Sequence, residues 1–182
     1  MILELLLLIV IGALIWAVVI YNRLINDKNR VLQAWSDIDV QLKRRHDLIP
    51  KLVEAVNAYA HYERQTLDEI TRVRTAADTA KSPSEHASAE RALNGQMQRL
   101  IAVAEAYPEL KADTQYLELL RQITEVEEHI QYARRFYNGS VKNLNVRIDS
   151  FPDLLVAQPF GFNKADFFEF TPTLTTTSGN HT

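Results

Sequence analysis

Chemistry in a helical chain needs side chains that transfer protons, attack or coordinate, gathered on one face by their spacing. Four ionisable residues stand out because they interrupt otherwise apolar helical seams: Arg45 and Glu63 in one, Glu127 and Arg134 in another. A buried arginine without a partner is very costly, so these groups must pair between helices or face a groove. Two carboxylates and two arginines are also acid–base equipment, of the kind that moves a proton at a bound substrate. No nucleophile or metal set accompanies them, so the reading adopted is a structural polar layer that fixes helix register.

Other candidates fall away on spacing. A helical bundle holds a di-iron centre through Glu-x-x-His on two helices. Here Glu125 and His129 are four apart, with Val126 between them, and His61-Tyr62-Glu63 cannot put two ligands on one helical face. The chain has no glycine-rich phosphate loop, no G-x-S-x-G and no H-E-x-x-H. It has no cysteine, which removes disulfides, thiolate metal sites and cysteine nucleophiles. The expectation is no catalytic residue, no metal and no cofactor, with all five histidines exposed or at helix caps.

Lys43-Arg44-Arg45 is the densest basic run. A lipid-headgroup role fails on distance: a straight helix from Tyr21 to Lys43 rises about 33 Å, against a Debye length of roughly 8 Å at physiological salt. An Asp39–Lys43 pair at i,i+4 is expected instead, with Arg45 entering the seam. Trp35, Asp37, Asp39, Lys43 and Arg44 then form a candidate interaction face.

The elements that must position these residues are helices. Five glycines and six prolines leave little for the turns of a sandwich, barrel or doubly wound sheet. The expected class is all-α: an N-terminal transmembrane helix, then an antiparallel up-and-down bundle of long helices. Residues 1–22 are the anchor. Leu5 to Tyr21 carries no charge, near the lower limit for a spanning helix. A cleaved signal peptide would want a basic start and small residues after the apolar core; Glu4 and Tyr21-Asn22-Arg23 stand there instead. Arg23, Lys28 and Arg30 follow the span and no basic residue precedes it, so the N-terminus is expected outside and the body in the cytoplasm.

The bundle is assigned to residues 23–150. From Val31 to Ala77 a 3–4 hydrophobic repeat of the coiled-coil kind runs on, broken by Arg45, Glu63 and Thr66. It predicts one long helix, kinked or divided at Pro50. Ser82, Pro83 and Glu85 make a capping box for a second helix to about Tyr107, with Ala89, Ala92, Leu93 and Met97 on its apolar face. A third starts near Asp113 and ends at Ser150-Phe151-Pro152, with Gly139 weakening its last turns. Residues 151–170 hold six of the seven phenylalanines and are expected to dock as an aromatic strap, through Phe151, Phe160, Phe162, Phe167 and Phe168. Residues 171–182, threonine-rich, are expected to be a disordered tail. A net charge of −3, from 20 basic and 23 acidic residues, argues against a nucleic-acid partner.

The stretch from Val31 to Pro50, VLQAWSDIDVQLKRRHDLIP, closely resembles the LemA family. So do Tyr107-Pro108-Glu109-Leu110-Lys111-Ala112, Ala133-Arg134-Arg135-Phe136-Tyr137-Asn138, Ser150-Phe151-Pro152 and Phe160-Gly161-Phe162. The resemblance covers about residues 1–170 in order. It implies a single-pass protein of the bacterial cytoplasmic membrane with a short outer N-terminus and a cytoplasmic helical bundle, and it does not imply an enzyme. One departure concerns the block after Tyr59-Ala60: the family often has His immediately before Glu, whereas here His61 and Glu63 are separated by Tyr62. Two functions stay open. One is a non-enzymatic membrane-anchored scaffold or adaptor, bound to the bilayer through residues 2–21 and to a second copy or another membrane protein. The other is a regulatory subunit or cryptic hydrolase using Glu63, Glu127 and their arginines.

Overall fold

The computed structural model of the chain describes residues 1–60 and 64–170. Among them are six helices and no strand: α1 (Ile2–Asn57), α2 (Arg64–Asp78), α3 (Pro83–Glu105), α4 (Pro108–Lys111), α5 (Thr114–Asp149) and α6 (Leu154–Ala157). The all-α expectation holds. Glu63, His61 and the tail at 171–182 lie outside the described residues. The chain forms two compact units, one of Met1–Ser36 with Phe136–Phe167, the other of Asp37–Arg135 with the segment from Phe168 onward.

In the first unit, the large apolar side chains of α1 are exposed from Ile2 to Val19, and cover begins at Ile20 and Leu24. This is the one segment among the described residues long and apolar enough to cross a membrane. Val31 and Ala34 continue the buried row, and α5 supplies Tyr137, Val141, Leu144 and Ile148 at the same 3–4 spacing. The two segments run antiparallel: Arg147 Nε donates to Asp27 Oδ2 at 2.6 Å, and Trp35 meets the Tyr137 ring edge-on at 5.4 Å. Gly139 does not interrupt α5; burial of its neighbours outweighs the roughly 1 kcal/mol that glycine costs a helix. Beyond α5 the backbone bonds to itself as far as Phe162, and after that side chains hold it. Asn145 donates to the Ala165 carbonyl and accepts from the Ala165 amide, both at 2.9 Å. The Tyr137 hydroxyl donates to the Asp166 carbonyl at 2.8 Å.

In the second unit, α1 continues through Pro50 and ends at Asn57. The expectation of one helix to Ala77 is corrected here. After Val56 the seam positions are Tyr59, Glu63 and Thr66, too polar to hold a straight helix against a core. The amides of Tyr59 and Ala60 both turn back to the Val56 carbonyl, at 3.1 and 2.9 Å. The chain resumes as α2, which packs on α3 and buries Leu67, Ile70, Val73 and Ala77. The capping box forms with a one-residue offset. Ser82 Oγ accepts from the Glu85 amide at 3.2 Å, and Glu85 reaches back to the amide of Lys81 rather than Ser82. Asp113 opens α5 by accepting from the Tyr116 amide at 2.9 Å.

The aromatic segment is not covered throughout. Phe168 and Phe170 are fully buried in the second unit, while Phe151, Phe160 and Phe167 of the first stay exposed. A four-residue α6 buries only Val156 and Ala157, too short a face to cover the rings on either side of it.

Candidate functional site

The interior of the second unit holds a chain of ionisable groups centred on two adjacent residues of α1. Successive helical residues point about 100° apart, so Arg45 and His46 address different neighbours. Arg45 is fully buried. Its Nη1 donates to Glu90 Oε2 at 2.7 Å, and its Nη2 donates to Asn94 Oδ1 at 3.2 Å and to Met97 Sδ at 3.3 Å. Glu90, Asn94 and Met97 share one face of α3 through their spacing of four and three. On the opposite side, Nε lies 2.9 Å from Glu127 Oε1 of α5, an ion-pair contact without hydrogen-bond alignment. The guanidinium also stands over the Phe170 ring, 5.4 Å from its centroid.

His46 extends the chain outward. Its Nε2 contacts Glu90 Oε1 at 2.6 Å and its Nδ1 contacts Asp78 Oδ1 at 2.5 Å. Only the imidazolium can donate at both nitrogens. Burial opposes that charged form, but the hydrogen bonds and charges of Glu90 and Asp78 prevail and raise the His46 pKa. Arg74, one turn before Asp78 on α2, pairs with it at 3.5 Å. Its Nε also donates to the His46 backbone carbonyl at 3.0 Å. That carbonyl is the one Pro50, lacking an N–H, cannot serve in the i→i−4 ladder. Arg74 thus completes α1 at its proline, which is why the helix neither divides there nor leaves a buried acceptor bare.

Glu127 is the anomalous member. It is 4% exposed, and its Oε2 is buried without a hydrogen-bond partner among the described residues. Desolvation pushes its pKa up to about 7; Arg45 pulls it back only in part, and Glu90 adds repulsion.

Of the four residues proposed from sequence for the polar layer, Arg45 and Glu127 meet. Glu63 lies outside the described residues. Arg134 goes elsewhere, donating to the Phe170 carbonyl at 2.7 Å. Sequence reasoning missed Glu90, Asn94, His46, Asp78 and Arg74. The signal for the first two was present: Leu93, Met97, Leu100 and Ala104 of the expected face are buried, and Glu90 and Asn94 fall beside them at the same 3–4 spacing, while Ala92 turns outward. His46 corrects the expectation of exposed or capping histidines. His129 stays on the surface, 3.7 Å from Glu125.

The candidate interaction face is only partly a set. Asp37, Asp39 and Lys43 are exposed and make no ion pair among the described residues; the expected Asp39–Lys43 pair is absent, and Arg44 reaches Glu125 at 3.8 Å instead. Trp35 belongs to the first unit and is part-buried against Tyr137.

The centre of the arrangement is shut, while its outer end at Asp78 and Arg74 meets solvent. Arg45 and Glu90 have no solvent contact, and two surface grooves on α2 and α3 are lined by other residues, among them Ala76, Thr79 and Ser88, and Asp68, Arg72 and Arg99. Among the described residues no three His, Cys, Asp or Glu side chains are placed to share a metal ion.

Comparison with known proteins adds the relatives. The family described as LemA matches residues 34–178. Protein LemA of Metamycoplasma hominis is 30% identical over 152 residues, 81% of this chain and 68% of that protein. Magnetosome protein MamQ 2 of Paramagnetospirillum magneticum is 31% identical over 74 residues, 41% of this chain and 27% of that protein. MamQ of Magnetospirillum gryphiswaldense is 28% identical over the same length.

Proposed function

The chain belongs to the LemA family, and from that premise we propose that it is a membrane-anchored, non-enzymatic helical adaptor of the bacterial envelope. Its span is residues 2–21 and its body lies in the cytoplasm, presenting a surface to a second copy or another membrane protein. The observation that carries this reading is the closed ion-pair chain. The side chains with acid–base capacity are spent on one another across α1, α2, α3 and α5, where they join helices rather than meet a substrate. The basic residues Arg23, Lys28 and Arg30 after the span support the orientation.

Photo-crosslinking in cells from an amino acid placed at Asp37 tests the adaptor role. Discrete adducts are expected, with a band at twice the chain mass identifying self-association. A ladder no stronger than that from a buried control position such as Leu100 overturns it. Protease added to spheroplasts checks the orientation: the body stays uncut until the membrane is lysed, and digestion before lysis reverses the topology.

A second reading, a cryptic hydrolase or regulatory subunit, draws on Glu127 alone, whose pKa near 7 is what a general acid needs at neutral pH. It requires the chain around Arg45 to open.

A further inference from the structure

We propose that Phe151, Leu155 and Phe160 insert into the boundary between headgroups and acyl chains of the same bilayer that α1 spans, giving the protein a second, interfacial hold on the membrane. This rests on the reading of α1 as a membrane anchor. Three observations of the first unit place these side chains at the right depth. Along α1 the exposed apolar run stops at Val19, and Ile20 is the first covered residue, 3% exposed, so the lipid-facing surface gives way to protein cover there. At that level the Tyr21 ring receives Phe160 edge-on at 5.1 Å and Phe162 at 5.6 Å. The loop after α5 is therefore fixed beside the end of the span. The same loop leaves large apolar groups bare, with Phe151 77%, Phe160 64% and Leu155 54% exposed.

The loop is built to hold them there. Arg147 ties Asp27 of α1 at 2.6 Å to Asp153 at 3.1 Å, bracing the segment from two sides. The Phe162 amide returns to the Ala157 carbonyl at 3.0 Å, across a turn in which Gly161 takes a φ of +69°. That backbone is ordinary for glycine and strained for other residues, and it lets Phe160 and Phe162 both meet Tyr21. A bilayer suits this surface better than a protein groove would. The span fixes where the interface lies, about 30 Å from Ile2 at 1.5 Å per residue. Aromatic rings favour that layer, and Arg23, Lys28 and Arg30, all exposed, attract anionic headgroups.

The chain has no cysteine, so single cysteines at Phe151, Leu155 and Phe160 give unique sites for a nitroxide label. The full-length protein is reconstituted into vesicles of phosphatidylcholine and phosphatidylglycerol. Collision rates with oxygen, which partitions into lipid, and with a water-soluble nickel chelate are then read by spin resonance. Leu14→Cys marks the span, and Phe136→Cys, exposed about 20 Å back along α5 from Asp149, marks the aqueous side. The expected result is a several-fold higher oxygen-to-chelate ratio at all three sites than at Phe136→Cys, approaching Leu14→Cys. A ratio equal to that of Phe136→Cys, with Leu14→Cys still lipid-exposed, overturns the interfacial hold while leaving the anchor standing. A low rate with both reagents means that protein covers the loop, and overturns it too. An aqueous Leu14→Cys label overturns the anchor itself. Phe151→Cys and Leu155→Cys alter exposed side chains and leave both rings on Tyr21; Phe160→Cys gives up one of the two, so the result at the first two sites decides where the three disagree.

Discussion

At Arg45 the guanidinium meets Glu90, Asn94 and Met97 on one side and Glu127 on the other. Removing it leaves one buried carboxylate held only by His46 and another with nothing. Arg45→Ala is expected to cost about 3–5 kcal/mol, the usual penalty for breaking a buried ion pair from one side. Pairing Arg45→Met with Glu127→Leu should recover much of the loss, because Glu90 keeps His46 and the second carboxylate is gone. Denaturant midpoints of the detergent-solubilised chain decide it; a negligible shift for Arg45→Ala would mean that this residue does not hold the helices together. The same cluster predicts a pH dependence of definite sign. Glu127, raised from 4.5 to about 7, binds its proton more tightly folded than unfolded. Its contribution is full below the ordinary value and is lost as pH rises through about 7, with an upper size of about 3 kcal/mol. His46, also raised, acts in the same direction from its own ordinary value of 6.5 upward. Stability should therefore fall from pH 5 to 8, and Glu127→Gln should flatten the acid half of that slope. A curve that rises across this range in the parent chain would contradict the assignment. Arg45 and Glu127 were legible in the sequence because a charge in an apolar seam is conspicuous. Glu90 and Asn94 were not, because the alanines of α3 read as apolar on either face, and Ala89 and Ala92 read as the start of a row that Glu90 and Asn94 share with Leu93 and Met97. The bond from His46 to Asp78 spans two helices, and no spacing within one helix reports it.

Breaks between elements were the better-written part of the sequence where a cap marked them. Ser82-Pro83 and Asp113 carry side-chain bonds to the first free amides of their helices, and that chemistry is local. The end of α1 had no such mark; it follows from the seam running out, a property of the whole packing. Pro50 could not be sorted between a kink and a division for a related reason, and the structure removes the division. Proline removes one donor, and its cost depends on whether the orphaned carbonyl finds another. Here Arg74 supplies it at 3.0 Å, from a helix that the sequence alone did not separate from α1. The consequence is a coupling between two residues 24 positions apart. Arg74→Ala should destabilise by about 1–3 kcal/mol, because a buried acceptor loses its donor. In a Pro50→Ala background residue 50 regains an N–H for the His46 carbonyl, so the same change should cost less. A double-mutant cycle reads the difference as an interaction energy. Simple additivity would show that the His46 carbonyl draws nothing from Arg74.

On the scale of the whole molecule, the segment after α5 does two different jobs. Toward its end Phe168 and Phe170 are core residues of the second unit, 0% exposed, and Phe170 lies under the Arg45 guanidinium. Its backbone is held from outside the segment, by Arg134 at the Phe170 carbonyl. Nearer α5, Phe151 and Phe160 stabilise no protein core, because they face outward. Composition could announce six phenylalanines but could not sort them, since burial here is set by which rings the polar clamps bring inward. The sorting makes a sharp set of expectations. Phe168→Ala and Phe170→Ala should each lower stability by about 3–5 kcal/mol, through lost burial and an unfilled cavity. Phe170→Leu restores much of the volume but not the aromatic face, so its residual cost measures the contact with Arg45. Phe160→Ala should lower it by far less, as its ring is largely outside. Deleting residues 171–182, where Leu174 is the one large apolar side chain, should leave both melting temperature and oligomeric state unchanged. Deleting residues 151–182 removes the two core rings together and should unfold the second unit or disperse the assembly. Thermal melts beside size-exclusion chromatography with light scattering, on protein in detergent, check the series. Equal melting temperatures for Phe160→Ala and Phe168→Ala would sink the division of labour, since one ring would then be worth as much outside the core as the other within it.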